Sequence, residues 1–294
     1  MPLPWLNKSR IDTVSLYKSH TTVDVLRLDL IHPVISGNKW FKLKKYIEEA
    51  QHLGKSTIVT YGGAYSNHIV ATAAAAKETG FKSIGIIKGY LPQKISPTLR
   101  DAIRYGMQIL YAPGEHKRKD VVTSLNEEDL YHIPMGGYGK LGKEGAADIL
   151  KEAHLAKYTH IVCAVGTGTM LAGITDSALL HQRIIGISSM KNNFSLQDEI
   201  QHLLPPAKHH LFELIHDYHF GGFARYKMEL IQFMNDWYQH SGIPTDIVYT
   251  GKMFFALNHL YSKHYFGADD SLLIVHSGGL QGNRSLPKGT LIFE

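Results

Sequence analysis

Short apolar, β-branched runs recur down this chain with helix-length segments between them, and that alternation limits the fold more than any other feature. The runs that read as strands are STIVTYGG (56–63), SIGIIKG (83–89), MQILYA (107–112), HIVCAVG (160–166), IIGISS (184–189), LFELIHDY (211–218) and SLLIVHSGG (271–279). Helix-like segments fill 67–79, 96–105, 143–155, 167–180, 225–240 and 252–265. Strands apolar on both faces and separated by helices belong to parallel sheets covered on either side. The 294 residues suffice for one large or two modest units, and the glycine-rich break IPMGGYGKLGKEG (133–145) separates two. The expected class is α/β, with two open parallel-sheet lobes meeting at a cleft.

Ligands of open α/β sheets sit beyond the carboxyl ends of the strands, so the strand-to-helix junctions are where chemistry is sought. Three are polar and glycine-rich: YGGAYSNH (61–68), VGTGTMLAG (165–173) and HSGGLQGN (276–283); a fourth, YTGK (249–252), follows the short run DIVY. In the second, Gly166 and Gly168 free the backbone where a helix begins, and Thr167 and Thr169 add hydroxyls. Amides and helix dipole there suit an anion, phosphate above all, although a ligand-free turn can share this composition. It is neither a Walker loop nor a GxGxxG fingerprint. Ser66 or Asn67 is placed to cap the helix that follows; alternatively Ser66, Asn67 and His68 meet a ligand at the cleft edge. Tyr249 is an acid/base candidate among 16 tyrosines, and Ser277 precedes two glycines that admit a flat ligand. In SGNKWFKL (36–43), Lys39 follows a turn signal at the first turn of a helix, from which it can point into a cleft. Lys42, Lys44 and Lys45 are expected on the solvated face of that helix.

Composition removes other classes. With 44% hydrophobic and 19% charged residues the chain reads as soluble and globular, and no apolar run is long enough to span a bilayer. The start, MPLPWLNKSRIDT, lacks the layout of a secretory signal, so a cytoplasmic protein is expected. One cysteine, Cys163, excludes an internal disulfide and reads as a small buried hydrophobe. The net charge of +5 is scattered; its densest run, EHKRKD (115–120), carries acids at both ends and reads as a solvated loop, so no nucleic-acid partner is expected. His209, His210, His216 and His219 raise a metal site, but no HExxH or Cys/His framework accompanies them, and His216 and His219 would face opposite sides of a strand.

Taken in order, SGNK, YSNH, GTGTMLAG, YTGK and HSGG make the chain resemble the D-cysteine desulfhydrase and 1-aminocyclopropane-1-carboxylate (ACC) deaminase family over nearly its whole length. The resemblance implies the tryptophan synthase β-like architecture (fold type II), with pyridoxal 5′-phosphate in the interlobe cleft. It also implies a large cofactor-binding lobe of residues 1–48 and 146–294, a small lobe of 49–145, a small amino-acid substrate and a homodimer. Lys39 is then the Schiff-base lysine and the base for the α-proton. Gly166, Thr167, Gly168 and Thr169 form the phosphate cup, with Met170 where relatives often carry threonine. Asn67 meets the ring hydroxyl oxygen, Ser66 and His68 the substrate carboxylate, and Tyr249 is the active-site tyrosine, with Thr250 beside it. Ser277 takes the pyridine nitrogen.

A hydroxyl at Ser277 leaves that nitrogen largely unprotonated and the ring a tempered electron sink. ACC deaminases carry Glu after the tyrosine and Leu in the HxGG segment, whereas this chain has Thr250 and Ser277. D-cysteine offers an α-hydrogen and a good leaving group, so the resemblance points to β-elimination giving pyruvate, ammonia and sulfide, with ACC deamination to 2-oxobutanoate as the rival. A non-catalytic cofactor- or nucleotide-binding protein on the same scaffold is the third class. The family's second tyrosine is expected where HFGGFARY carries Phe220, which removes a phenol in either branch.

Overall fold

The computed structural model describes residues 6–123, 125 and 127–293; Met1–Trp5, part of the stretch from which the missing secretory layout is read, lie outside the described residues. Two sheets organise the chain. The larger runs β1-β2-β10-β7-β8-β9, from β1 (Ile11–Ser15), β2 (Thr22–Arg27), β7 (His160–Val165), β8 (Arg183–Ser188), β9 (Phe212–Ile215) and β10 (Leu272–His276). All its pairings are parallel except the β1–β2 hairpin at the edge. The smaller runs β5-β4-β3-β6, all parallel, from β3 (Thr57–Gly62), β4 (Lys82–Lys88), β5 (Met107–Ala112) and β6 (Leu130–Ile133).

The large sheet is apolar on both faces because helices cover both. β7 is buried at every position, His160 to Val165, which is why its sequence shows no alternation. One face packs a core with Trp40, Phe41, Leu43 and Ile47 of α1 (Asn38–His52), Ala146 of α5 (Lys140–Ala147) and Leu171 and Ile174 of α6 (Thr169–Ser177). The other carries Phe233 and Trp237 of α8 (Met228–Ser241) and Met253, Phe254 and Leu257 of α9 (Thr250–Ser262). In the small lobe, α2 (Asn67–Glu78) is buried from His68 to Ala76. Its run of alanines lets it press against α1, β4 and α3 (Pro97–Arg104), a contact that larger side chains would hold apart.

Several expectations are corrected. β1, β2 and β6 had no strong signal, because β1 alternates exposed and half-buried positions and β6 has four residues. EHKRKD belongs to a helix, α4 (Glu115–Thr123), since no glycine or proline interrupts those residues. The 143–155 segment divides into the end of α5 and 3-10 turns at Asp148–Glu152 and Leu155–Lys157. LFELIHDY is a strand only over Phe212–Ile215, so His216 and His219 sit in the following turn, not on opposite strand faces. Among the described residues no group of three or more His, Cys, Asp or Glu is arranged to hold a metal, and no helix is long and apolar enough to cross a membrane. Cys163 lies at the centre of β7, fully buried, where burial pushes its thiol up to about 12.

Candidate active site

The carboxyl ends of β2, β3, β7 and β10 converge on one cleft. β2 leads through Leu28–Ser36 to Gly37, which caps α1 with φ +66°, a left-handed conformation that glycine adopts without strain. Asn38 N–H donates to Ser277 O across 3.2 Å, locking the SGNK turn onto the HSGG turn. The next residue is Lys39, at the first turn of α1, with Nζ donating to Asn38 Oδ1 at 2.8 Å. Burial pushes its amine down to about 8, against a weaker opposing pull from Asp246. About a tenth of such amines are uncharged at pH 7 and half at pH 8, against a negligible fraction for an exposed lysine. The reactivity of Lys39 in cofactor-free protein toward an acylating reagent, followed by peptide mapping, is expected to rise with a half-point near pH 8. A half-point near 10 refutes this environment.

Lys42 overturns the expectation of a solvated lysine. It is 5% exposed. Its Nζ donates to Gly136 O at 3.2 Å and lies 3.5 Å from Thr167 Oγ1. Burial, and the charge of Lys39 nearby, hold its amine well below the ordinary lysine value. Among the described residues neither Lys39 nor Lys42 has a carboxylate partner within ion-pair distance. Burial that disfavours the charged form is offset when an anion sits beside the amine, so Lys42, next to the Gly-Thr loop, suits an anionic ligand. Lys42 lies one helical turn from Lys39 on the same face of α1, a spacing visible in NKWFK. Lys45 faces solvent beside Glu48, whereas Lys44 is half-buried and pairs with Asp148.

Beside Lys42, β7 ends in Gly166-Thr167-Gly168, and Gly168, at φ +77°, caps α6 with no side-chain hydrogen bond. The Thr167 and Thr169 hydroxyls lie 3.2 Å apart. Tyr249 lies over this loop: a Cβ at Gly166 would come within 3.0 Å of its ring. Burial, with Asp246 adding to it, raises the Tyr249 phenol above its ordinary range, so it is a neutral donor at physiological pH.

Opposite stands the N-terminus of α2. Ser66 is its cap, accepting from Ile69 N–H. Asn67 Nδ2 donates to Gly279 O at 3.0 Å, which fixes the amide's orientation and leaves Oδ1 buried without a partner. His68 is equally defined. Thr60 Oγ1 spends its hydrogen on Ile133 O, so it must accept from His68 Nε2–H at 2.9 Å. Nδ1 is then a bare, unpartnered acceptor, and burial, with Lys39 and Lys42 near, pushes the imidazole down to about 3. A neutral acceptor of this kind attracts a donor, which counts against the expected His68 contact with a carboxylate.

Two further expectations change. Thr250 has no hydroxyl to offer a ligand, because Oγ1 donates to Asp246 Oδ1 and accepts from Asp246 N–H, each at 2.8 Å. Asp246, which sequence reading passed over, also accepts from the amides of Val248, Tyr249 and Thr250, so it organises the start of α9. An aspartate just ahead of a helix was the available signal. Phe220 is not the aromatic beside the cleft: its ring packs edge-on against Phe255 at 4.9 Å, and Phe223 meets Tyr249 at 6.1 Å instead. Beneath the HSGG turn, His276 Nε2 donates to Pro244 O, and burial of Asp29 is outweighed by His276 and Arg27, which hold its carboxyl below the usual range.

The profile of the family described as "Pyridoxal-phosphate dependent enzyme" matches residues 18–278. The chain belongs to that family. Among curated relatives, a putative 1-aminocyclopropane-1-carboxylate deaminase of Thermotoga maritima is 28% identical over 282 residues, covering 88% of each chain. A D-cysteine desulfhydrase of Serratia proteamaculans is 22% identical over 282 residues, covering 87% of this chain and 86% of its own. A solved ACC deaminase homologue superposes with a TM-score of 0.83 at 26% identity, over 96% of this chain and 91% of that one. As a member of the pyridoxal-phosphate-dependent enzymes, the chain has pyridoxal 5′-phosphate as its cofactor, and the cleft fits that group. The amine of Lys42 and an uncapped helix N-terminus match a phosphate, Lys39 offers an amine for the aldehyde, and the orphaned Asn67 Oδ1 offers an acceptor beside the ring position. Asn67 sits directly against the HSGG turn, since a Cβ at Gly279 would come within 2.8 Å of Asn67 Nδ2.

Proposed function

We propose that this enzyme is a lyase of a small amino acid, most simply D-cysteine, which it would convert with water to pyruvate, ammonia and sulfide. The observation that carries the reading is Lys39, a desolvated amine at a helix N-terminus in a cleft whose other end suits a phosphate. Lys39 would hold the cofactor and, once the substrate amine has taken its place, receive the α-proton on Nζ. The amides of Gly168 and Thr169, the hydroxyls of Thr167 and Thr169 and the ammonium of Lys42 would hold the phosphate. Ser277 would face the pyridine nitrogen and Asn67 the ring hydroxyl. Bound there, the pyridoxal ring supplies an electron sink for negative charge developing on the substrate's α-carbon. Ser66 and the first amides of α2 would receive the substrate carboxylate, and neutral Tyr249 would donate a proton to the departing group. His68 Nδ1 would accept from a substrate or cofactor donor.

The preference for β-elimination rests on Ser277, because Thr250 is committed to Asp246 and no longer supports it. ACC deamination is the second reading, favoured by the likeness to the solved ACC deaminase homologue. A panel of D-cysteine, L-cysteine and ACC, read by keto-acid and sulfide release, decides between them. Pyruvate and sulfide from D-cysteine are expected; 2-oxobutanoate from ACC without sulfide from D-cysteine overturns the preference. Lys42→Met is expected to weaken cofactor affinity by about 10- to 100-fold while leaving kcat at saturating cofactor within a few-fold, since it removes one charge-assisted contact to the phosphate and touches no reacting atom. Equilibrium dialysis against the cofactor checks it. The same reading divides the chain into a lobe of residues 1–48 and 146–294 and one of 49–145, which the distribution of strands supports. It includes a homodimer, which the resemblance supports, and a cytoplasmic setting, with which a single cysteine is compatible.

A further inference from the structure

Lys252 is fully buried, yet it lies outside the lysine pair of the cleft. Its Nζ donates to His219 O at 2.9 Å and to Gly222 O at 2.8 Å. Those carbonyls belong to a turn closed by hydrogen bonds from Gly222 N–H to His219 O and from Arg225 N–H to Gly222 O, but wound through unfavourable backbone conformations. Phe220 and Ala224 take φ of +52° and +54°, and Gly221 and Gly222 lie at +99° and +118°. A non-glycine residue in that region costs about 1 kcal/mol or more, and this turn contains two. The contortion has a consequence. It sends the Phe220 ring inward onto Phe255 and the Phe223 ring outward, where it stands 55% exposed in an edge-on pair with Tyr249.

An apolar side chain of similar length would fill the space under the turn without the desolvation of an ammonium, but it would leave each carbonyl with only its backbone donor, Gly222 N–H on His219 O and Arg225 N–H on Gly222 O, and nothing tying the turn to α9 through Lys252. We infer that Lys252 is a positioning residue: it clamps the 219–222 turn so that Phe223 forms an apolar wall beside Tyr249 at the cleft mouth. The wall favours a substrate whose side chain is small and uncharged or soft, such as a thiol, over one bearing a second carboxylate, which would lose water there with no donor in return. This deepens the proposed function, because it rests on Tyr249 facing the substrate.

The test uses the holoenzyme and whichever amino acid the panel shows to be turned over. Lys252→Met removes the donors and keeps the stem; Lys252→Arg restores two donors; Phe223→Ala removes the wall at an exposed position. Lys252→Met and Phe223→Ala are each expected to raise KM about tenfold with kcat within about twofold, the visible absorbance of the bound cofactor staying unchanged, and Lys252→Arg to recover most of the loss. Trypsin cleavage after Arg225 is expected to accelerate in Lys252→Met and not in Phe223→Ala. Wild-type KM and cleavage rate in Lys252→Met overturn the inference. So does an unchanged KM in Phe223→Ala, a result that remains decisive where Lys252→Met fails to fold. Tyr249→Phe separates the two layers: if it leaves kcat and KM untouched, the reading of Tyr249 has failed, and the cleavage rates alone then decide whether Lys252 clamps the turn.

Discussion

Lys39→Ala is expected to lower turnover by on the order of 10³-fold or more, since it removes both the covalent anchor and the proton acceptor in one change. No neighbour can take its place. Lys42 is tied to Gly136 O and lies toward the Gly-Thr loop, and Lys252 is spent on the carbonyls of His219 and Gly222. The fold should survive, because the lysine's one hydrogen bond is to the adjacent Asn38 and nothing else in the core leans on its amine. The variant should therefore melt within a few degrees of the wild type and still bind cofactor through the phosphate. It should lose the visible band of covalently held cofactor and the product trapped by borohydride reduction. A variant that stays yellow and active removes Lys39 from the reaction.

The second large effect is structural. Gly37→Ala would place a methyl group 1.7 Å from Ser277 O and 2.2 Å from its carbonyl carbon. Both are backbone atoms, so no rotamer change relieves the overlap. The SGNK and HSGG turns must separate, and with them Lys39 and Ser277, which would face opposite ends of the same ring. The expected cost is about 3 kcal/mol or more in stability, together with severe loss of cofactor affinity. Gly54 supplies the control. It has a similar φ, +65°, but open space around the missing Cβ, so Gly54→Ala carries only the backbone penalty of about 1 kcal/mol. Denaturant melts and cofactor titrations of the two variants isolate the contact; equal destabilisation would show that the two turns are not interlocked.

Much of this arrangement is legible in the residues. The strand-end rule finds the Gly-Thr loop, Ser66, Asn67, Tyr249 and Ser277 because those junctions interrupt apolar runs with residues that cap helices or bend backbone. Lys39 is found because it follows Ser-Gly-Asn. Lys42 is missed for a physical reason: a lysine inside an amphipathic helix looks solvated unless the opposite wall is known, and that wall is Gly136, 94 residues away. Asp246 and Lys252 escape likewise, since their partners are backbone amides and carbonyls, which carry no side-chain signature. The error at Phe220 has a related origin. Whether a ring in a glycine-rich turn points inward or outward depends on the signs of four φ angles, and these follow from the turn's anchorage rather than its composition.

Asn67 begins a helix of the four-stranded half, whereas the carbonyl that orients its amide, Gly279 O, belongs to the six-stranded half. A swing of one half away from the other breaks that bond and, in the same movement, withdraws Oδ1 from the ring it would grip. One side chain would then answer both to the seam between the halves and to the reagent, and the bond at Lys39 would keep that reagent in place while the seam is apart.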